Sequence, residues 1–212
     1  MAETQASGSV EELLRNAWRA LLEASTPGGG PLSLPQHQRM ALRKTALFAQ
    51  LEEVRVDWRE LRAAIRPEEV SRYVNAAWTL KDLIAHMASW ATEFRHEVET
   101  ALRGGRFDYA IPYAMTVMGP KQWNEDTVEA RRARPIDELL EEFETQTVRL
   151  QEILLEMSER DLMELRELPL APTGDPNATW RGPSAFIIAA KCEHDRHHIA
   201  QIRKRLAAWS GL

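Results

Sequence analysis

Apolar residues recur along most of this chain at alternating steps of three and four, the spacing that gathers side chains on one face of an α-helix. Over about residues 38–65 the series is Leu47, Leu51, Val54, Trp58, Leu61 and Ile65. A second series opens at Thr79, a residue type that caps helix N-termini, and runs through Leu83, Ile84, Met87, Trp90, Phe94 and Val98 to the Gly104-Gly105 stop. A short helical piece is predicted over about residues 123–132. After Pro135 comes the cleanest series, Ile136, Leu139, Leu140, Phe143, Leu150, Ile153, Leu154 and Met157. A proline-rich connection over residues 168–183 leads to a last helix predicted over about residues 183–209. No stretch alternates apolar and polar residues as a half-buried strand does. Four amphipathic stripes can be buried only against one another, which predicts an all-α four-helix bundle.

Ahead of the bundle, Ser9 and Glu12 form a capping-box pattern before Leu13, Leu14, Ala17, Trp18, Leu21 and Leu22, so a short amphipathic helix is expected there. It is cut off by Thr26-Pro-Gly-Gly-Gly-Pro31, read as a linker. Residues 1–37 are thus an N-terminal extension and residues 38–212 the bundle domain. Residues 106–120 show no helical period, carry Phe107, Tyr109 and Tyr113, and are expected to fold over the bundle.

Composition narrows the function. Lys and Arg number 27 against 32 Asp and Glu, a net charge of −5 in 212 residues, which argues against binding nucleic acid by bulk charge. With 44% hydrophobic and 28% charged residues the chain is of ordinary globular make-up. No run of about 18 apolar residues occurs and residues 1–10 are polar, so neither membrane insertion nor Sec export is expected. A lone cysteine, Cys192, permits no internal disulfide and fits a reducing, cytoplasmic setting.

The histidines carry the candidate chemistry. Three of the six crowd into Glu193-His-Asp-Arg-His-His198 on the last helix. At 100° per residue His194 and His198 lie about 40° apart on the apolar stripe, with His197 on its shoulder. The i, i+4 spacing lets two imidazoles converge on one ion, as in helical zinc sites. On the second long helix, His86 lies where the apolar stripe of Leu83, Trp90 and Phe94 meets the acidic one of Asp82, Glu93 and Glu97. A third imidazole from a neighbouring helix would complete a site with positions open for water or substrate, although periodicity does not show that the two helices touch. Other features have ordinary readings. Trp58 and Trp90 occupy seam positions suited to packing; Lys191, Arg203, Lys204 and Arg205 read as a basic cluster of the last helix; Arg131, Arg132 and Arg134 read as a solvated helix end. Glu193 and Asp195 flank His194 and are candidates to hydrogen-bond imidazole N–H groups. Cys192 falls off the ligand face.

Two segments, Trp78-Thr-Leu-Lys-Asp-Leu-Ile-Ala-His86-Met-Ala-Ser-Trp90 and His194-Asp-Arg-His-His198-Ile-Ala-Gln201-Ile-Arg203, resemble the DinB-like (YfiT-like) metalloenzyme superfamily. Its members include mycothiol-dependent maleylpyruvate isomerase-like and bacillithiol-transferase-like proteins. The resemblance covers about residues 38–206. It implies an up-down-down-up bundle, often a homodimer, that holds a divalent metal, with Zn or Ni foremost, on three histidines; carried over by position these are His86, His194 and His198. In the family an acidic residue often follows the tryptophan of the first segment. Here that position is Ala91, with Glu93 the nearest carboxylate on that side, so no general base is carried over. Residues 123–132 are also similar to ClbS/DfsB-like bundle proteins, some of which hydrolyse a genotoxin.

The leading expectation is a metal-dependent enzyme acting on a small electrophilic molecule, as a thiol S-transferase using a low-molecular-weight thiol or as a hydrolase. The alternatives are a non-catalytic, dimeric, stress-associated or ligand-binding bundle, and a metal-free hydrolase with Trp123, Glu125 and Tyr109 lining its cleft.

Overall fold

The computed structural model describes residues 43–103, 121–164, 166–169 and 179–211. The predicted helix over residues 9–22, its glycine linker, and residues 106–120 with Tyr109 lie outside these. Four long helices form the frame: α1 (Lys44–Ala64), α2 (Leu80–Arg103), α4 (Ile136–Glu156) and α6 (Ser184–Trp209). Between them stand the shorter α3 (Lys121–Arg131) and α5 (Glu159–Met163). α2, α4 and α6 lie within a few residues of the spans their periodicity predicts, and α1 falls inside the predicted 38–65.

Local chemistry explains the boundaries. At the start of α2, Asp82 N–H donates to Thr79 Oγ1 (3.2 Å) and Thr79 N–H donates to Asp82 Oδ2 (3.0 Å), a reciprocal cap. Pro135 precedes α4, whose first turn carries Asp137 and Glu138 against the positive end of the helix dipole. Ser158 and Asp161 cap α5 in the same reciprocal way.

Cross-helix pairs fix the directions. α1 runs antiparallel to α4: Lys44 Nζ donates to Met157 O (2.7 Å) at one end and Trp58 Nε1 to Leu140 O (3.3 Å) toward the other. α2 runs parallel to α4, since Thr92 reaches Glu142 (3.1 Å) and Arg95 reaches Gln146 (2.6 Å) in the same sense along both. α6 is parallel to α1, through Arg196–Glu53 and Arg203–Asp57, both 2.8 Å, and antiparallel to α2. This is the expected up-down-down-up bundle. Parallel α2 and α4 cannot be joined by a tight turn, and α3 lies within the long crossover between them.

The core is continuous through the frame. Trp58 stacks on Phe143 with ring centroids 4.0 Å apart, and Leu47, Leu51, Leu83, Ile84, Leu150, Ile188 and Ile202 are sealed from solvent. One expectation needs correcting: the connection before α6 is not wholly irregular. Arg166–Pro169 and Thr179–Gly182 pair as a short antiparallel ladder. Strands of four residues joined at long range leave little alternation to read.

Candidate metal centre

The second and fourth long helices, whose adjacency periodicity left open, are packed together as α2 and α6. His86 comes from the seventh position of α2, about two turns beyond its Thr79 cap, and is 4% exposed. His194 and His198 come one turn apart from the middle of α6, their rings 4.6 Å apart. The Nε2 atom of His86 lies 3.2 Å from Nε2 of His194 and 3.2 Å from Nε2 of His198. Among the described residues these three form a group able to hold a metal ion, with ligand atoms within 4.8 Å of one another.

Hydrogen bonding at the far side of each ring decides what the near side offers. His194 Nδ1 lies 3.0 Å from Asp195 Oδ1, so in the neutral ring the Nδ1–H donates to the carboxylate and Nε2 keeps its lone pair. His198 Nδ1 lies 3.1 Å from Gln201 Oε1 and is held in the same tautomer. His86 Nδ1 is buried with no hydrogen-bond partner among the described residues. Two bare lone pairs thus face His86 Nε2, which has at most one proton to share between them. A cation resolves this. Three nitrogens about 2.0–2.1 Å from a tetrahedral ion stand about 3.3 Å apart, close to the 3.2 Å that separates His86 Nε2 from each of its partners. The donor set therefore fits a divalent metal.

Electrostatics keep the His86 and His198 rings in the neutral form. Burial, with His194 and His198 adding to it, holds His86 well below the ordinary imidazole value. Burial and His194 push His198 down to about 3, against the Gln201 hydrogen bond. Burial raises the Asp195 carboxyl, but Lys191 and His194 together outweigh it, so Asp195 remains below its usual range and ionised.

Aromatic rings wall the centre. Trp78 lies 4.8 Å from the His86 ring; it is placed there by a turn in which Asn75 Oδ1 accepts from the backbone N–H of Ala77 (2.9 Å) and Trp78 (2.8 Å). Trp90 and Phe94 stand 5.6 and 5.8 Å from His194. Trp90 in turn packs against Trp123 at 4.7 Å, and its indole N–H donates to Asn124 Oδ1 (2.9 Å), so α3 braces the wall.

Other sequence candidates fall outside the cluster. His197 is exposed, though its ring is 5.2 Å from His198. Ala91 is fully buried, and Glu125 is exposed on α3. Cys192 is sealed in the core, and burial pushes its thiol up to about 12, which removes it as a nucleophile. Arg131 and Arg134 are not simply solvated: both pair with Glu142, Arg131 at 2.8 Å. Lys191 requires the largest correction. It is no surface cation; it is fully buried and pairs with Asp195. Phe186–Ala190 is apolar on every side, a sign that this half of α6 is buried all round and that a charge following it shares that burial. Gln201, three residues beyond His198 on α6, is the residue that orients its ring.

No curated protein matches the sequence. A solved structure, YfiT from Bacillus subtilis, described as a probable metal-dependent hydrolase with an unusual four-helix bundle topology, aligns with 17% identity and a TM-score of 0.59 over 90% of this chain and 98% of its own. That likeness supports the bundle topology. The family model for the mycothiol maleylpyruvate isomerase N-terminal domain matches residues 51–183, a span that contains His86 and stops just short of α6. It covers more than half of the chain, which therefore belongs to the mycothiol maleylpyruvate isomerase N-terminal domain family.

Proposed function

We propose that this protein is a divalent-metal-dependent enzyme that acts on a small electrophilic molecule, by transfer of a low-molecular-weight thiol or by hydrolysis, with His86, His194 and His198 as the metal ligands. The observation that carries this reading is the convergence of three imidazole Nε2 atoms, two of them committed to lone pairs by Asp195 and Gln201. Zn and Ni both suit such a nitrogen set. Held by His86, His194 and His198, such an ion would lower the pKa of water or of a thiol, so that either could attack at neutral pH.

The chain's own groups do the rest. Asp195 and Gln201 hold two rings in the ligating tautomer. Trp78, Trp90 and Phe94 limit water around the rings and offer flat apolar surface to the carbon skeleton of a substrate. Ala91 offers no carboxylate, so the proton of the attacking group leaves without a base at that position. A cytoplasmic homodimer completes the reading; sedimentation of the full chain tests the dimer.

Metal analysis of untagged protein by mass spectrometry is the test. About one equivalent of a divalent ion is expected, with His198→Ala losing it by a wider margin than the roughly 10–100-fold that outer hydrogen-bond partners cost. Full occupancy in that variant would remove the ligand assignment; no metal in the wild type would favour a ligand-binding bundle instead.

A further inference from the structure

Lys191 and Asp195 are both 0% exposed, one turn apart on α6, and form an ion pair inside the bundle. Such pairs are costly. Removing two charges from water is repaid only by excellent geometry, and apolar residues of similar volume usually stabilise a core as well or better. The geometry here is complete. The lysine ammonium has three hydrogens: one goes to Asp195 Oδ2 and one to Thr147 Oγ1 of α4 at 3.0 Å. The third side of the ammonium lies over the Phe143 ring, 4.8 Å from its centroid. Thr147 spends its own hydroxyl hydrogen on Phe143 O (2.9 Å), which leaves its oxygen lone pairs for the lysine. The two oxygens of Asp195 are thereby divided, Oδ2 to Lys191 and Oδ1 to His194 Nδ1.

We infer that Lys191 is a positioning residue for the metal centre: by holding Asp195 Oδ2 from the core side, anchored on Thr147 and Phe143, it presents Oδ1 to His194 and fixes the tautomer and direction of that imidazole. A carboxylate with one oxygen clamped cannot rotate away from the ring it serves, so the alignment of a ligand on α6 is set by α4, a helix that contributes no ligand. The inference rests on the metal reading for its purpose but not for its local claim, which concerns one hydrogen bond in the metal-free chain.

The experiment follows that division. In metal-free full-length protein, ¹⁵N NMR of the histidine rings is expected to find His194 in the Nδ1–H form, and Lys191→Met to give mixed tautomers. Zn affinity, read by competition with a chromophoric chelator, is expected to fall about 10-fold or more in the same variant, the cost typical of a lost partner behind a ligand. Lys191→Gln keeps a donor without the charge, is expected to fall between the two, and stands in if Lys191→Met does not fold. An unchanged His194 tautomer in the folded variant overturns the inference. So does a Zn affinity equal to wild type alongside a lowered melting temperature, since that is the mark of a merely structural lysine. Absence of Zn binding by the wild type overturns the metal reading alone, because the tautomer measurement still decides what Lys191 does.

Discussion

Between α1 and α4, polar groups meet their complements: Arg59 pairs with Glu144 at 3.0 Å, Arg55 donates to Gln151 at 2.8 Å, Gln151 donates to Glu52 at 3.1 Å, and Trp58 gives its indole hydrogen to a backbone carbonyl. Between α2 and α6, groups of the same kind meet: three imidazoles turn their Nε2 atoms toward one point, with at most one proton among them. The first seam pairs its charges within the chain, although Arg55 Nε is buried without a partner among the described residues. The second is left in electrostatic debt by its own hydrogen bonds, since Asp195 and Gln201 satisfy the outer nitrogens and thereby expose the inner ones. A polar cluster that closes on itself holds a fold together, whereas one whose outer partners enforce an inner mismatch prepares it for something absent from the chain.

The sharpest way to break this contrast is to damage the first seam. Trp58→Ala removes a fully buried ring and is expected to cost about 3–5 kcal/mol of stability, measured by urea unfolding, while the folded fraction still takes up metal. Loss of metal uptake by protein that remains folded would mean that the two seams are not separable.

Acid probes the second seam. His86 and His198 have folded values depressed below the 6.5 of an ordinary histidine, so between that value and about 3 the unfolded chain binds more protons than the native one. The stability of metal-free protein is therefore fully present above pH 6.5 and falls as pH drops below it. His198 contributes a slope of up to about 1.4 kcal/mol per pH unit, which His198→Ala should remove. Equal slopes in wild type and variant across pH 6 to 4 would contradict the buried neutral imidazole. The smallest effect belongs to the surface: Arg203→Ala, which breaks the pairs with Asp57 and Glu60, is expected to cost about 0.2–1 kcal/mol by thermal melting, with no change in metal content.

The bundle and its candidate ligands were legible because both depend on spacing. A repeat of three and four places Leu47 to Ile65 on one face, and the same arithmetic places His194 beside His198. Thr79 announced the start of α2 by residue type alone. What spacing does not encode is environment. Lys191 looks like any helix cation until its depth is known, and only the apolar surround of residues 186–190 hints at it. The direction of the Gln201 amide and the bracing of Trp90 by Asn124 arise from tertiary packing, as does the pairing of residues 166–169 with 179–182.

The parallel run of α2 beside α4, and the return of α6 between α1 and α2, set the three histidines far apart along the chain: His86 precedes His194 by 108 residues and His198 by 112. The cluster is thus a long-range closure, assembled only when α6 has docked against α2. Any ion held there would bind the mature topology and almost nothing of a partly made chain, and would act as a clip across a loop spanning half the sequence. Metal acquisition in this protein would then be a late event in folding, and its loss would loosen α6 first.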